Sequence, residues 1–256
     1  ETEQASFAFS DKLTALQPIN LSIETGERVA IIGPIGSGKS TLIRLLSGLY
    51  RPLTGKVLLD GVDMALLAPA FLREHVGYLP QDVRLLHGTL RDNLTLGIPA
   101  VDDSALLNAA KLTGLDRVIR THPQGMALPI HEGGRGLSGG QRQLLGLTRL
   151  LLRQPAVLLL DEPTAAMDAE LEASVMHNLL AALPATTTVV LVTHKASLLR
   201  LVDRVIVLDQ GRVILDGARS EVLARLATPV TPAASAATST AETTSHHPST
   251  RMRATS

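Results

Sequence analysis

Gly33-Pro34-Ile35-Gly36-Ser37-Gly38-Lys39-Ser40-Thr41 matches G-x-x-x-x-G-K-[ST] in full. The glycines let the backbone curl so that its N–H groups point at phosphate oxygens, and a helix starting there adds a positive dipole end. Lys39 would neutralise β- and γ-phosphates, Ser40 would give a hydroxyl to Mg²⁺, and Thr41 would add a phosphate contact. About a hundred residues later, Leu137-Ser138-Gly139-Gly140-Gln141 is a second Gly-Ser phosphate-binding element at a helix start. Two such elements so far apart point to a composite site, with ATP held between two copies of the chain.

Carboxylates follow. Leu158-Leu-Leu-Asp161-Glu162 reads as a buried strand ending in two acids. Successive strand residues face opposite sides, so the two can have different roles. Asp161 would hold Mg²⁺ through water, and Glu162 would polarise the attacking water as general base. His194 ends the apolar strand Val189-Val-Leu-Val-Thr193 at the sheet edge where ligands gather, and could hydrogen-bond the γ-phosphate and orient the water. Gln81, after Gly77-Tyr-Leu-Pro80, could reach Mg²⁺ or the water, and reads equally well as a loop residue. The other histidines considered, at 75, 87, 122, 131 and 177, read as surface or packing residues.

These groups need a scaffold. Val29-Ala-Ile-Ile32, the glycine loop and an apolar-spaced helix from Ser40 to Leu49 form strand, loop and helix, the context a phosphate loop requires. Gly26-Glu27 and Gly61-Val62 read as turns. Asp102 or Asp103 can cap a helix through Leu106, Leu107 and Ala110, and another helix starts near Gly139. The continuously apolar runs Val157–Leu160, Val189–Val192 and Val205–Leu208 read as strands of a largely parallel sheet buried on both faces. From about Thr228 the chain turns to Thr, Ser, Ala and Pro and reads as disordered. Its His246-His247 pair reads as solvated rather than as a chelator.

Composition narrows the class. With 256 residues the chain can hold one large core, and with aromatics at only 2% that core must be Leu, Val, Ile and Ala. Net charge is zero, which argues against a nucleic-acid surface, and the absence of cysteine excludes disulfides and thiolate metal sites. No apolar run is long enough to span a membrane, and the Glu-Thr-Glu-Gln start shows no signal peptide. A start at Glu1 rather than Met is expected of a piece of a longer polypeptide.

The ordered set Lys39, Gln81, Leu137–Gln141, Asp161-Glu162, Asp168 and His194 resembles the nucleotide-binding domain of ABC (ATP-binding cassette) transporters. The resemblance spans residues from about 5 to 226 and implies a P-loop NTPase-type α/β fold. That fold has a mostly parallel sheet core, an antiparallel β subdomain and a helical signature subdomain at about 82–152, within an ATPase domain 1–227. It implies Walker A at Gly33–Thr41, Walker B at Val157–Asp161, a catalytic glutamate at Glu162, a Q-loop at Gln81, a D-loop at Asp168 and a switch histidine at His194. Ser138, Gly139 and Gly140 would contact the γ-phosphate of the opposite protomer. Phe9 sits where the family stacks adenine, with Phe in place of the usual Tyr, and Phe7 competes for that role. ATP and Mg²⁺ are the implied ligands. A second copy and a membrane domain are the implied partners, at the cytoplasmic face of the inner membrane.

Leu79-Pro-Gln-Asp-Val83 with His87-Gly-Thr-Leu-Arg-Asp-Asn93 is similar to the exporter branch. Glu132 lies at the exporter X-loop position, although Ile130-His-Glu-Gly-Gly134 departs from the usual Val-Gly-Glu-Arg-Gly. The stretch from His122 to Gln143 is similar to ATPases of bacterial type I secretion, which implies protein or peptide cargo, with lipid or small-molecule export as the alternative. A soluble ABC ATPase of DNA repair or translation would carry a coiled coil or a second cassette, and neither is present. A module without turnover would not need both Glu162 and His194.

Overall fold

The computed structural model describes residues 1–10, 13–98 and 100–227. The expected tail from Thr228 and the His246-His247 pair lie outside them. The chain opens with a β-hairpin, β1 (Thr2–Ser10) and β2 (Leu13–Leu21), then β3 (Arg28–Ile32), the glycine loop and α1 (Lys39–Leu46). Next come β4 (Thr54–Leu59), β5 (Val62–Asp63), α2 (Pro69–His75) and β6 (Val76–Leu79). A helical stretch follows: β7 (Gly88–Thr89), α3 (Leu90–Leu94), α4 (Asp103–Thr113), α5 (Asp116–Thr121), β8 (Pro129–Ile130) and α6 (Gly139–Arg153). The chain then returns through β9 (Val157–Asp161), α7 (Ala169–Ala182), β10 (Thr188–Val192), β11 (Arg204–Asp209), β12 (Arg212–Ala218) and α8 (Arg219–Ala227).

The main sheet has the order β12-β11-β3-β10-β9-β6, parallel except for the antiparallel edge strand β12. Its strands alternate between two cores. Leu158, Leu160, Val189, Leu191, Val205 and Val207 pack under α4, α6 and α7. Leu159, Val190, Val192, Val29, Ile31 and Ile206 pack against α1 and the antiparallel sheet β2-β1-β4-β5. Burial on both faces is why these strands read as unbroken apolar runs. The largest fully buried side chains are leucines and isoleucines, as the scarcity of aromatics required.

Local chemistry sets the element ends. Ser138 and Gln141 form a capping box at the start of α6, and Thr89 and Asp92 form another on α3. Pro184 follows the last residues of α7, where a helix cannot continue. The expected helix from Ser40 to Leu49 is shorter: Gly48 turns left-handed (φ +74°) and Leu49 points outward, 63% exposed. In the helical stretch α6 packs on α4, and the buried hydroxyls of Thr113 and Thr148 meet at 2.6 Å.

Candidate active site

The parallel register delivers the chemical groups to one edge. Ile31 pairs with Val192 and Val192 with Asp161, while Leu79 pairs with Leu160. The segments leaving β3, β9, β10 and β6 therefore all start at the carboxyl edge of the sheet, where open α/β sheets bind ligands. They carry the glycine loop, Asp161-Glu162, His194 and Gln81.

The loop is tightly enclosed at its two ends. A β-carbon on Gly33 would lie 2.0 Å from the Leu208 carbonyl oxygen, and one on Gly38 2.6 Å from that of Ala15. Both residues have positive φ, so no side chain is tolerated there. Between them Pro34, Ile35 and Gly36 are at the surface, with Ile35 fully exposed, while Ser37 is buried. Lys39 Nζ donates to the carbonyls of Gly33 (2.9 Å) and Pro34 (2.8 Å), which holds the ammonium over the loop. Burial pushes its pKa below the ordinary lysine value, against the pull of Glu162 and Asp161. Thr41 is buried along α1.

Ser40 Oγ donates to Asp161 Oδ1 at 3.3 Å. Asp161 is fully buried, and burial raises its pKa above the usual carboxylate range. Its Oδ2 has no hydrogen-bond partner among the described residues. An orphaned carboxylate oxygen beside a hydroxyl is a donor set that fits a hard divalent cation. Among the described residues no cluster of three or more His, Cys, Asp or Glu could hold a metal.

Glu162 corrects one expectation. Strand alternation does not separate it from Asp161, because β9 ends at Asp161 and Glu162 takes a left-handed backbone (φ +48°). Its N–H donates to Val192 O at 2.9 Å, and the turn aims the carboxylate at His194. Glu162 Oε2 and His194 Nδ1 are 2.9 Å apart. Two strand ends far apart in sequence thus place an acid and an imidazole in direct contact.

Gln81 is exposed and lines a cleft with Gly139, Arg142, Gln143 and Ala166 at the start of α6. Ser138 Oγ accepts from Gln141 N and Gln141 Oε1 accepts from Ser138 N, so both side chains cap α6. Gly139 and Gly140 press on Ala166, where added β-carbons would fall 2.9 Å and 3.0 Å from its atoms. Asp168 Oδ1 caps α7 through Leu171 N. Phe7 stacks flat on Tyr50 (4.7 Å between centroids), while Phe9 meets both rings edge-on and is 54% exposed.

Sequence reasoning missed Tyr50, Gln143 and the residues around Lys195. Gln143 is buried; its Nε2 donates to Glu162 O (3.2 Å) and its Oε1 accepts from Ala166 N (3.0 Å). A signal existed: Gln143 shares the buried face of α6 with Leu147 and Leu150, where an amide needs partners.

A glycine loop with its lysine, a serine–aspartate pair and an acid–imidazole pair on one sheet edge define a P-loop ATP hydrolase. The chain belongs to the ABC transporter family, whose pattern matches residues 16–165. It is 40% identical over 224 residues to the mycobactin import ATP-binding/permease protein IrtB of Mycolicibacterium thermoresistibile, covering 88% of this chain and 38% of that protein. It is also 40% identical to the toxin RTX-I translocation ATP-binding protein of Actinobacillus pleuropneumoniae, covering 84% and 30%. A solved bacterial Atm1-family ABC exporter with ATP bound superposes with a TM-score of 0.83 at 33% identity, covering 88% of this chain and 39% of that one. The chain thus spans about a third of the length of the curated relatives it matches. It is an ATPase domain related to both type I secretion ATPases and Atm1-family exporters. Among the described residues no helix is long and apolar enough to cross a membrane.

Proposed function

We propose that this domain hydrolyses MgATP to drive export of a protein or peptide through a transmembrane domain carried outside this sequence. The observation that carries the hydrolytic part is the 2.9 Å contact of Glu162 with His194 beside Ser40 and Asp161. Lys39 and the loop N–H groups hold the β- and γ-phosphates, and Ser40 and Asp161 hold Mg²⁺, with Gln81 as a further ligand. Bound there, Mg²⁺ would neutralise charge on the β- and γ-phosphate oxygens. Glu162 takes a proton from the attacking water as its oxygen bonds to the γ-phosphorus and the bond to the bridging β–γ oxygen breaks. His194 Nδ1 is committed to Glu162, so its γ-phosphate contact falls to Nε2. Ser138, Gly139 and Gly140 close the site of a second copy, with Gln141 holding their helix start and Asp168 lining the contact between copies.

The exposed face of Phe9 supports its role in stacking adenine, because Phe7 already spends a face on Tyr50. Phe9→Ala should weaken ATP binding by about 1 kcal/mol, roughly fivefold, with kcat nearly unchanged. Titration with a fluorescent ATP analogue measures it; an unchanged Kd would remove Phe9 from the site.

A membrane partner is supported by an apolar surface. Leu49, Leu53, Leu66 and Phe71 are exposed beside two adjoining grooves lined by Gly48, Pro69 and Leu72. One groove also contains Arg149, whose buried Nη2 lacks a partner among the described residues. Glu132, exposed on a 3-10 turn, would join that coupling. This partner would hold the domain at the cytoplasmic face of the membrane. Similarity to a toxin translocation protein supports protein cargo. A small-molecule cargo is the second reading, favoured by the equal identity to a protein named for mycobactin import. Phosphate release from MgATP by the purified domain, together with its mass in solution with and without ATP, tests the ATPase and the dimer. No release would sink the hydrolytic reading, and a mass that ATP leaves monomeric would sink the two-copy site.

A further inference from the structure

Lys195 follows His194, and its ammonium is turned inward. Nζ donates to Glu172 Oε2 at 2.5 Å and to the Thr164 carbonyl at 2.8 Å. Glu172, in the first turns of α7, is only 2% exposed. Its carboxylate also accepts from Thr164 Oγ1 (2.7 Å) and from Ser197 Oγ (2.5 Å). These bonds come from two loops. Thr164 belongs to the loop that leaves β9 with Glu162, and Lys195 and Ser197 to the loop that leaves β10 with His194.

Burial opposes ionisation of Glu172, and the bonds from Lys195, Ser197 and Thr164 outweigh it, holding the carboxyl below the usual range. A buried ion pair adds little net stability over apolar packing of the same shape, but it imposes a defined geometry. Here that geometry is the relative position of two loops whose first residues carry the 2.9 Å contact between Glu162 and His194. A displacement of about 1 Å in reacting groups can cost about a hundredfold in rate.

We propose that Glu172 and Lys195 are positioning residues for hydrolysis, locking together the two loops that carry Glu162 and His194 without touching substrate. The inference rests on the ATPase reading above, and wild-type phosphate release tests that reading by itself. The positioning role is tested by kcat, KM for MgATP, melting temperature and backbone hydrogen exchange of variants relative to wild type. Glu172→Gln and Lys195→Met should each lower kcat about 10- to 100-fold while KM stays within about twofold. Exchange should quicken across residues 193–198 in both. Lys195→Arg, which keeps charge and reach, should restore kcat to within about threefold of wild type. Folded Glu172→Gln or Lys195→Met protein with wild-type kcat overturns the proposal. So does a raised KM at unchanged kcat, which would make the cluster part of nucleotide binding. Should both variants unfold, Ser197→Ala decides: a several-fold fall in kcat with faster exchange supports positioning, and wild-type values for both overturn it.

Discussion

Glu162→Gln should lower kcat for ATP hydrolysis by about 10²- to 10⁴-fold and leave ATP binding within a few-fold of wild type. The amide keeps the shape of the side chain and an oxygen that can accept from His194 Nδ1. It loses the ability to take the proton from water. The left-handed turn is held by the bonds of Glu162 N to Val192 O and of Gln143 Nε2 to Glu162 O, which are backbone features the substitution does not remove. Phosphate release under saturating MgATP and equilibrium binding of a fluorescent analogue separate the two effects. Turnover above a tenth of wild type would remove Glu162 as the base.

Asp161→Asn should move activity and stability in opposite directions. The ionised carboxylate is buried with one oxygen unpartnered, so without a cation it opposes folding. The amide is neutral, and the change should stabilise the nucleotide-free chain by about 1–2 kcal/mol. The melting temperature should rise by roughly 2–4 °C per kcal/mol. Hydrolysis should fall at least about a hundredfold, because the cation loses its anionic anchor. The pH dependence has a defined sign. The folded state binds the Asp161 proton more tightly than the unfolded chain, so this carboxyl favours folding most below about pH 3.9. That contribution is lost as pH rises through the higher folded value. The stability difference between variant and wild type should therefore grow with pH across that window and then level off. A variant no more stable than wild type at neutral pH would show that Asp161 is not strained by burial.

Much of this site was legible in the sequence because its parts are contiguous. The run Val29–Ile32, the glycine loop and the helix after it announce themselves by local spacing, and so do Leu158–Asp161 and Val189–Val192. The parts that hid depend on contacts between distant segments. The direction of Glu162 follows from a left-handed turn that a glutamate adopts only under tertiary restraint. Glu172 reads as one more acid in the acidic first turns of a helix, and only the fold shows it buried against Lys195. The end of α1 at Leu46 rather than Leu49 turned on a single glycine whose weight against four leucines could not be read locally. Tyr50 lies two residues beyond that glycine, and its stacking on Phe7 joins segments far apart in sequence.

The aromatic inventory also gives the protein a built-in optical reporter. The chain has no tryptophan and two tyrosines. The hydroxyls of both lie 3.4 Å from the Arg44 guanidinium on the helix that leaves the phosphate loop, and Tyr50 forms the wall behind Phe9. Tyrosine emission and the tyrosine bands of the near-ultraviolet dichroism therefore arise beside the proposed nucleotide pocket. A change in either signal on adding ATP reads that pocket directly, without a label. The same economy makes both signals poor witnesses of unfolding in α4 to α7.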